Sequence, residues 1–250
     1  MTSTTYEFPL KEKVRNYLRI EHLLAQLKTG ASVQNKALHV YFFEQLFTLM
    51  DLLDRIDLRT DLIKDLDVHE RNLVHWSQYP NIDTDALEQS LKVIVRLKGK
   101  LKAERKFGTA LKEDKFLNGI RQRFSIPGGT CSFDLPNLHY WLNRSKEDIQ
   151  ESMKEWLLSL ALLEETVSVL LSFLRERGPF KPMEATNGFY QGVADDKCGL
   201  IRVRCDANQG YYPTLSGNKY RFAIRFMLFE NDAGQSPSVE NTVSFAMAAC

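Results

Sequence analysis

The chain of 250 residues is long enough for one large domain, or for two smaller ones that each bury a hydrophobic core. Its 33 Lys and Arg residues nearly cancel its 32 Asp and Glu residues. The resulting net charge of +1 excludes a global field that would draw the protein onto nucleic acid or a membrane. A charged partner must therefore be recognised by a local patch.

Helical periodicity dominates the chain up to about residue 178. The first predicted helix runs from Leu10 to Leu27, with apolar residues at core-facing spacing and a second stripe of Arg15, Arg19 and His22 on another face. Further helices are predicted at 34–55, from about residue 60, from about residue 85 and at 112–123. The last of these ends before the Pro-Gly-Gly turn at 127–129, because proline and paired glycines do not continue a helix.

The longest predicted helix spans 146–177 and begins at a capping sequence, Ser145 to Asp148. Between Trp156 and Leu174 it is apolar on nearly every face, and a helix of that kind is buried on all sides. The pattern favours a central helix of a bundle or a dimer interface, two roles that one helix can combine.

The C-terminal part of the chain alternates apolar and polar residues with the period of a strand. Strands are predicted at 200–205, 220–229 and 242–247, with turns at 217–218 and 231–237. The period of two places Arg221 and Arg225 on one face of their strand and the aromatic residues on the other.

These elements predict the α+β class, with a helical bundle-like domain at 1–178 and a smaller antiparallel β domain at 179–250. The segment 124–142 is expected to pack with the β domain, because Cys131–Phe133 has strand character.

The sequence begins without the basic segment and apolar stretch of a signal peptide. Its richest apolar run, 156–163, is far shorter than the roughly 18 residues of a membrane span. The four cysteines, Cys131, Cys198, Cys205 and Cys250, show neither C-x-x-C spacing nor a histidine at zinc-finger distance. We therefore expect a cytoplasmic protein with reduced thiols, no membrane insertion, no metal and no cofactor.

The best arrangement for catalysis is Cys131 with His139, because a thiolate needs a nearby base, and Asp134 is a candidate to orient the imidazole. A cysteine beside a turn is more often a packing residue, and closeness in sequence alone makes no triad. His69 and His75 are six positions apart, so they face different sides of a helix and do not share a zinc ion; both are expected at the surface. We predict no catalytic residue and no enzyme.

Between residues 199 and 229 a single acid, Asp206, accompanies five basic residues: Arg202, Arg204, Lys219, Arg221 and Arg225. Arginines grouped on a sheet face suit bidentate binding of carboxylates, although a charged solvent face has the same pattern. Arginines with aromatic residues also stack single-stranded bases, and the low net charge argues against that use. The residues alone leave these three interpretations open.

Four passages form long, specific blocks: Arg121–His139 and the stretches that start at Pro9, Asn187 and Ser216. Together they resemble the ZapD family of FtsZ-associated cell-division proteins. The segment Arg121–His139 is similar to the family pattern RQRLSIPGGxCSFDLPxLH, with Phe124 in place of leucine. The blocks that start at Asn187 and Ser216 resemble NGFYQ and SGxKxRFAIRFM, and the one that starts at Pro9 resembles PLxEKxRxxLRIE. The likeness spans nearly the whole chain.

The resemblance implies a non-enzymatic homodimer with a helical domain and a β domain. Such a protein binds the C-terminal tail of FtsZ and cross-links FtsZ filaments into bundles at the mid-cell division ring. A disordered tail with acidic and apolar residues needs a basic groove with apolar pockets, and two grooves in a symmetric dimer bridge two filaments. No nucleic-acid partner is expected.

The resemblance also implies a partner-binding groove. Its residues are Arg15, Arg19, Arg55, Arg59, Lys115, His139, Arg221 and Arg225. Lys115 stands where the family has arginine, and a lysine keeps the charge but lacks the bidentate fork.

Overall fold

The computed structural model of the chain describes residues 3–79, 83–218, 220–229 and 238–250, so the expected turn at 231–237 and Lys219 lie outside the described residues. The α+β class is confirmed. The helices are α1 (Glu12–Ser32), α2 (Lys36–Arg55), α3 (Leu58–Trp76), α4 (Thr84–Ala103), α5 (Thr109–Glu113), α6 (Lys115–Arg121), α7 (Pro136–Trp141), α8 (Lys146–Leu158) and α9 (Ala161–Glu176). The strands are β1 (Ser3–Pro9), β2 (Lys181–Ala185), β3 (Phe189–Val193), β4 (Leu200–Asp206), β5 (Tyr211–Gly217), β6 (Arg221–Leu228) and β7 (Val243–Ala249).

The chain folds into two compact units. Unit 1 comprises Met1–Leu18 and Leu171–Cys250, and unit 2 comprises Arg19–Leu170. The N-terminal residues join the C-terminal strands because β1 pairs antiparallel with β4, from Ser3 opposite Asp206 to Pro9 opposite Leu200. The sequence predicted no strand at this end, since its pairing partner is far away in the chain.

Unit 1 contains two antiparallel sheets, one of four strands in the order β1-β4-β7-β2 and one of three strands in the order β3-β6-β5. Side chains from both sheets form a common core, in which the rings of Phe226 and Phe245 are 5.2 Å apart. The strands predicted at 200–205, 220–229 and 242–247 correspond to β4, β6 and β7, while β1, β2, β3 and β5 were not predicted.

Unit 2 is organised around α2, whose buried face includes Phe42, Phe43, Leu46 and Met50. The cap of α2 is the side chain of Asn35, which accepts a hydrogen bond of 2.8 Å from the backbone N–H of Ala37. Leucines at helical spacing bury the inner faces of α3 and α4.

Residues 124–142 belong to unit 2 and pack against α2, which differs from the expectation that they join the β domain. Rings of Phe124 and Trp141 lie 6.1 and 5.0 Å from the ring of Phe43. The residues between them form turns and the short helix α7. Aromatic burial against α2 decides the position of this segment, whatever the strand propensity of Cys131–Phe133.

The long helix predicted at 146–177 consists of two helices, α8 and α9, with a break at Ser159–Leu160. The hydroxyl of Ser159 donates to the backbone carbonyl of Trp156, at 2.7 Å. Such a local hydrogen bond competes with regular helix continuation. The pair is not buried on all sides either, because Leu158 is 70% exposed.

Within the described residues no individual helix has the length and apolar character to cross a membrane. The pair α8 and α9 meets that measure only when counted together across its 55° bend.

Candidate functional site

The eight residues of the predicted groove are divided between the two units. Arg15, Arg221 and Arg225 belong to unit 1. The other five belong to unit 2: Arg19, Arg55, Arg59, Lys115 and His139. Each unit is therefore considered as a basic surface of its own.

Unit 2 has a cleft of about 500 Å³ where α2 ends and α3 begins. The backbone of Ile56, at φ −125° and ψ 145°, ends α2 in an extended conformation and opens the cleft. Its lining, named the helical cleft here, consists of Leu53, Asp54, Arg55, Ile56, Asp57, Leu58, Arg59, Lys106 and Phe107. Buried Leu53, Leu58 and Phe107 make part of this lining apolar.

Arg55 and Arg59 of the helical cleft remain able to bind an anion. Arg59 donates from Nη1 to the backbone carbonyl of Glu104 at 2.7 Å, which orients the guanidinium and leaves its other N–H groups available. The exposed side chain of Arg55 has no ion pair with any described residue. Lys106, which the sequence analysis missed, adds a third cation; its signal is the basic run from Lys98 onward.

The acid in the cleft is neutralised by neighbouring lysines. Asp54 accepts a hydrogen bond from Lys112, and its carboxylate is also 4.0 Å from the Nζ of Lys106. The hydrogen bond from Lys112 holds the pKa of Asp54 below its ordinary value of 3.8, against the opposing effect of burial. The cleft therefore presents cations beside an apolar surface, with Asp57 as its other carboxylate.

Lys115 and His139 lie on the adjacent helices α6 and α7, and both side chains are exposed. The helices meet through the rings of Phe116 and Trp141, 5.8 Å apart. Asp114 caps α6 by accepting from the N–H of Leu117, so Lys115 begins the helix at a defined position. No hydrogen bond or ion pair among the described residues joins this pair to Arg55 or Arg59.

Arg15 and Arg19 are exposed residues of α1, on either side of the boundary between the units. The guanidinium of Arg15 forms an ion pair with Glu12 one turn earlier. Arg19 has no ion pair with a described residue, so its charge is fully available to a partner.

Unit 1 presents Arg221 and Arg225 on the outer face of the three-stranded sheet, which confirms the face predicted from the period of two. Phe222, Ile224 and Phe226 alternate with them and are buried in the core. Their outward neighbours are apolar and exposed: Phe189 at 40%, Val193 at 85% and Tyr212 at 38%. We name these five residues, Arg221, Arg225, Phe189, Val193 and Tyr212, the basic sheet face.

The pairing of β3 with β6 sets the geometry of the basic sheet face. Phe189 is opposite Arg225, and Val193 is opposite Arg221. The guanidinium of Arg225 lies 5.5 Å from the centre of the Phe189 ring, a cation–π contact. Phe189 and Val193 were not predicted as site residues, because β3 carries no charge that would have marked it.

Arg202 and Arg204 do not belong to the basic sheet face, although the sequence grouped them with Arg221 and Arg225. They lie on β4 of the other sheet. Arg202 pairs with Glu7 at 3.0 Å, and Arg204 stacks over the ring of Phe180 at 3.8 Å. Both guanidinium groups therefore have structural roles within unit 1.

The cysteine arrangement considered for catalysis is not assembled among the described residues. Cys131 is exposed in a turn, where its backbone N–H donates to the carbonyl of Gly128. The carboxylate of Asp134 faces Arg123 at 3.8 Å, and no described hydrogen bond joins it to the ring of His139. The carboxylate of Asp134 is therefore not placed to orient His139, as a catalytic triad requires.

The described part of the chain holds no group of three or more His, Cys, Asp or Glu side chains placed for a metal ion. His75 contacts the hydroxyl of Tyr79 at 3.2 Å. His69 is buried at 9% exposure, which corrects the expectation that both histidines lie at the surface. The inward face of α3 carries His69 between leucines.

Comparison with known proteins relates the chain to cell division. The model of the ZapD family, described as "Cell division protein", matches residues 18–225. Cell division protein ZapD of Photobacterium profundum is 40% identical over 250 residues, which are 100% of both chains. The protein of the same name from Vibrio parahaemolyticus is also 40% identical over 250 residues and 100% of both chains. That of Cronobacter sakazakii is 37% identical over 249 residues, 100% of this chain and 99% of the relative.

Proposed function

Because this chain belongs to the ZapD family of cell division proteins, we propose that it acts in division by binding the C-terminal tail of FtsZ and, as a homodimer, cross-linking FtsZ filaments into bundles. The proposal makes it a non-enzymatic adaptor. It works in the cytoplasm and reaches the mid-cell ring through FtsZ itself.

The observation that carries the proposal is the basic sheet face. Two exposed arginines stand among exposed apolar side chains, and the three strands of this sheet contain no Asp or Glu. A guanidinium binds a carboxylate through paired hydrogen bonds, and neighbouring apolar groups bind apolar side chains. This combination suits a tail that carries both acidic and apolar residues.

The helical cleft supports the same chemistry in unit 2. Its cations, Arg55, Arg59 and Lys106, adjoin the apolar side chains of Leu53 and Phe107. We propose that it binds acidic and apolar residues of a tail by the same chemistry. Arg15, Arg19, Lys115 and His139 are the remaining proposed contacts.

The experiment is co-sedimentation of the protein with polymerised FtsZ, full-length or without its tail, at low and high salt. We expect co-pelleting and bundling that need the tail and weaken with salt, because the contacts are exposed ion pairs. The double variant Arg221→Ala/Arg225→Ala should bind at least about tenfold more weakly, since each lost charged hydrogen bond contributes about 1.5 kcal/mol or more.

The matched control is Arg177→Ala, which removes an exposed arginine of unit 1 outside the basic sheet face and should bind normally. Equal co-pelleting with FtsZ that lacks its tail would show that the protein binds the GTPase body of FtsZ, and would contradict the proposal. Normal bundling by the double variant would show that the basic sheet face is not part of the binding site for the tail.

A single-stranded nucleic acid is the alternative partner, since Arg225 and Phe189 together offer a stacking surface. Retention of an oligonucleotide at low salt, without FtsZ, would favour it. We expect none.

A further inference from the structure

We infer that the acidic, apolar tail binds the basic sheet face as an added β-strand along the free edge of β3, with its backbone hydrogen-bonded to Gln191 and Val193. This inference rests on the proposed function, and it names the binding mode at that site. The occupant is an extended peptide with carboxylate side chains.

Hydrogen bonds at both ends of β3 show which of its residues face the free edge. The carbonyl of Gly188 accepts from Phe226 of β6, and the N–H of Ala194 donates to Tyr220. In an antiparallel ladder alternate residues bond to the same neighbour, so the even-numbered residues bond to β6. The N–H and C=O groups of Gln191 and Val193 therefore point away from β6, and no described backbone group pairs with them.

The opposite edge of the same sheet is blocked by a proline. Pro213 of β5 is opposite Phe226 of β6. The N–H of Phe226 donates to the carbonyl of Gly188, and its C=O accepts from the N–H of Val239, so both groups point away from β5. Pro213 therefore faces outward, where it supplies no N–H to an added strand. Native edge strands are commonly protected in this way, by proline or by charge. The segment Phe189–Val193 has neither.

Side chains at the free edge lie on the same face as the arginines. Gln191 and Val193 are exposed, and Val193 is directly opposite Arg221. A strand added beside β3 would lie about 10 Å from β6, two strand spacings away. Arg221 in an extended rotamer and an extended Glu on the added strand together bridge that distance across Val193, the side chain between them.

Charge complementarity selects the occupant. The basic sheet face has two arginines, and none of the residues of β3, β5 and β6 is acidic. The guanidinium of Arg225 has a described hydrogen bond only to the hydroxyl of Ser238, at 3.4 Å. An acidic peptide would supply the carboxylates that these arginines lack among the described residues, while its backbone forms hydrogen bonds with the free edge of β3.

The test compares Val193→Pro with Val193→Thr in the full-length protein. Proline removes the outward N–H of residue 193, and an extended residue before it, here Gly192, is compatible with proline. Threonine keeps both the N–H and the β-branched shape. Binding is measured by fluorescence anisotropy with a labelled synthetic peptide of the FtsZ tail.

We expect Val193→Pro to weaken binding at least about fivefold, the effect of one lost backbone hydrogen bond. Val193→Thr should weaken it less, by about twofold, because threonine keeps the N–H and loses only part of the apolar contact. A tail peptide with alternate backbone amides N-methylated should bind the unchanged protein equally weakly. This second measurement does not depend on how the variant folds.

The outcomes separate the binding mode from the proposed function. If Arg221→Ala/Arg225→Ala weakens binding and neither proline nor N-methylation does, the added strand is refuted and the proposed function stands. If the peptide does not bind the unchanged protein at all, both fail. A sedimentation mass that is halved by Val193→Pro would assign the edge to a second copy of the chain and overturn the inference.

Discussion

Replacing Phe43 by alanine tests whether one aromatic cluster holds the helices of unit 2 and the segment 122–142 in place. Phe43 is fully buried on α2. Rings from other elements surround it: Trp141 at 5.0 Å, Trp156 at 5.6 Å, Phe116 at 5.9 Å and Phe124 at 6.1 Å. Its side chain therefore contacts α6, α7, α8 and the 3-10 turn at Gln122–Ser125 simultaneously.

The expected loss is about 4 kcal/mol of the free energy of unfolding. A buried Phe→Ala change costs about 3–5 kcal/mol through lost transfer energy and the cavity left behind. Edge-to-face contacts of aromatic rings add about 0.5–1.5 kcal/mol each beyond the buried area, which places this site in the upper half of that range. For a chain of this size the melting temperature should fall by about 8–16 °C.

The assay is urea unfolding followed by tryptophan fluorescence, since Trp141 and Trp156 lie inside the cluster. Phe43→Leu should lose less, about 1.5 kcal/mol. Tyr140→Ala, on an aromatic residue that is 73% exposed, should lose less than about 0.5 kcal/mol. A Phe43→Ala variant that loses no more than about 1 kcal/mol would refute the reasoning.

Three further predictions concern single groups. Asp114→Ala should lower the free energy of unfolding by about 2 kcal/mol, because the carboxylate caps α6 and accepts from the indole N–H of Trp156 at 2.9 Å; urea unfolding measures it. Lys112 lowers the folded-state pKa of Asp54. The stability this gives is fully present above the ordinary value of 3.8 and is lost as pH falls through the lowered folded-state pKa. Asp54→Asn should therefore make the acid-side decline in urea midpoints shallower. Cys131→Ser should abolish fast labelling by a thiol reagent, since burial raises the pKa of the other three cysteines.

Each of these has a distinct contrary result. Asp114→Asn keeps an acceptor for the indole, so equal losses in the Asn and Ala variants would remove the hydrogen bond from the explanation. Parallel pH curves for the Asp54→Asn and unchanged proteins would show that the ion pair with Lys112 gives no stability at acid pH. Fast labelling that survives Cys131→Ser would mean that a buried thiol is accessible in solution.

Local patterns in the sequence predicted several features of the fold. Apolar spacing located α1 and α2 to within a few residues, and the alternation at 220–229 identified β6 and the outward face of Arg221 and Arg225. These predictions depend on periodicity within one element, which the chain carries in its own residue order. The family was predicted separately, from four sequence blocks that resemble ZapD, and the match to the ZapD family model confirms it.

Long-range contacts decided two placements that the local sequence did not predict. Ser3–Pro9 becomes a strand only because β4 is available to pair with it. The segment 124–142 packs with helices because the rings of Phe43 and Phe47 lie beside Phe124. Neither partner is visible in the local sequence, and tertiary burial overrides local propensity.

The candidate functional site shows the same difference between what local sequence patterns predict and what long-range contacts decide. The sequence alone revealed the ZapD-like blocks. It also predicted which cationic residues are exposed, because exposure follows from the helical and strand periods. Only the tertiary structure decided that Arg55 and Arg59 line a cleft with Lys106, that Arg202 is occupied by Glu7, and that the unmarked strand β3 lies beside Arg221. The physical reason is that a cleft, an ion pair and a free sheet edge arise from the pairing of segments far apart in the chain, and no local pattern encodes that pairing.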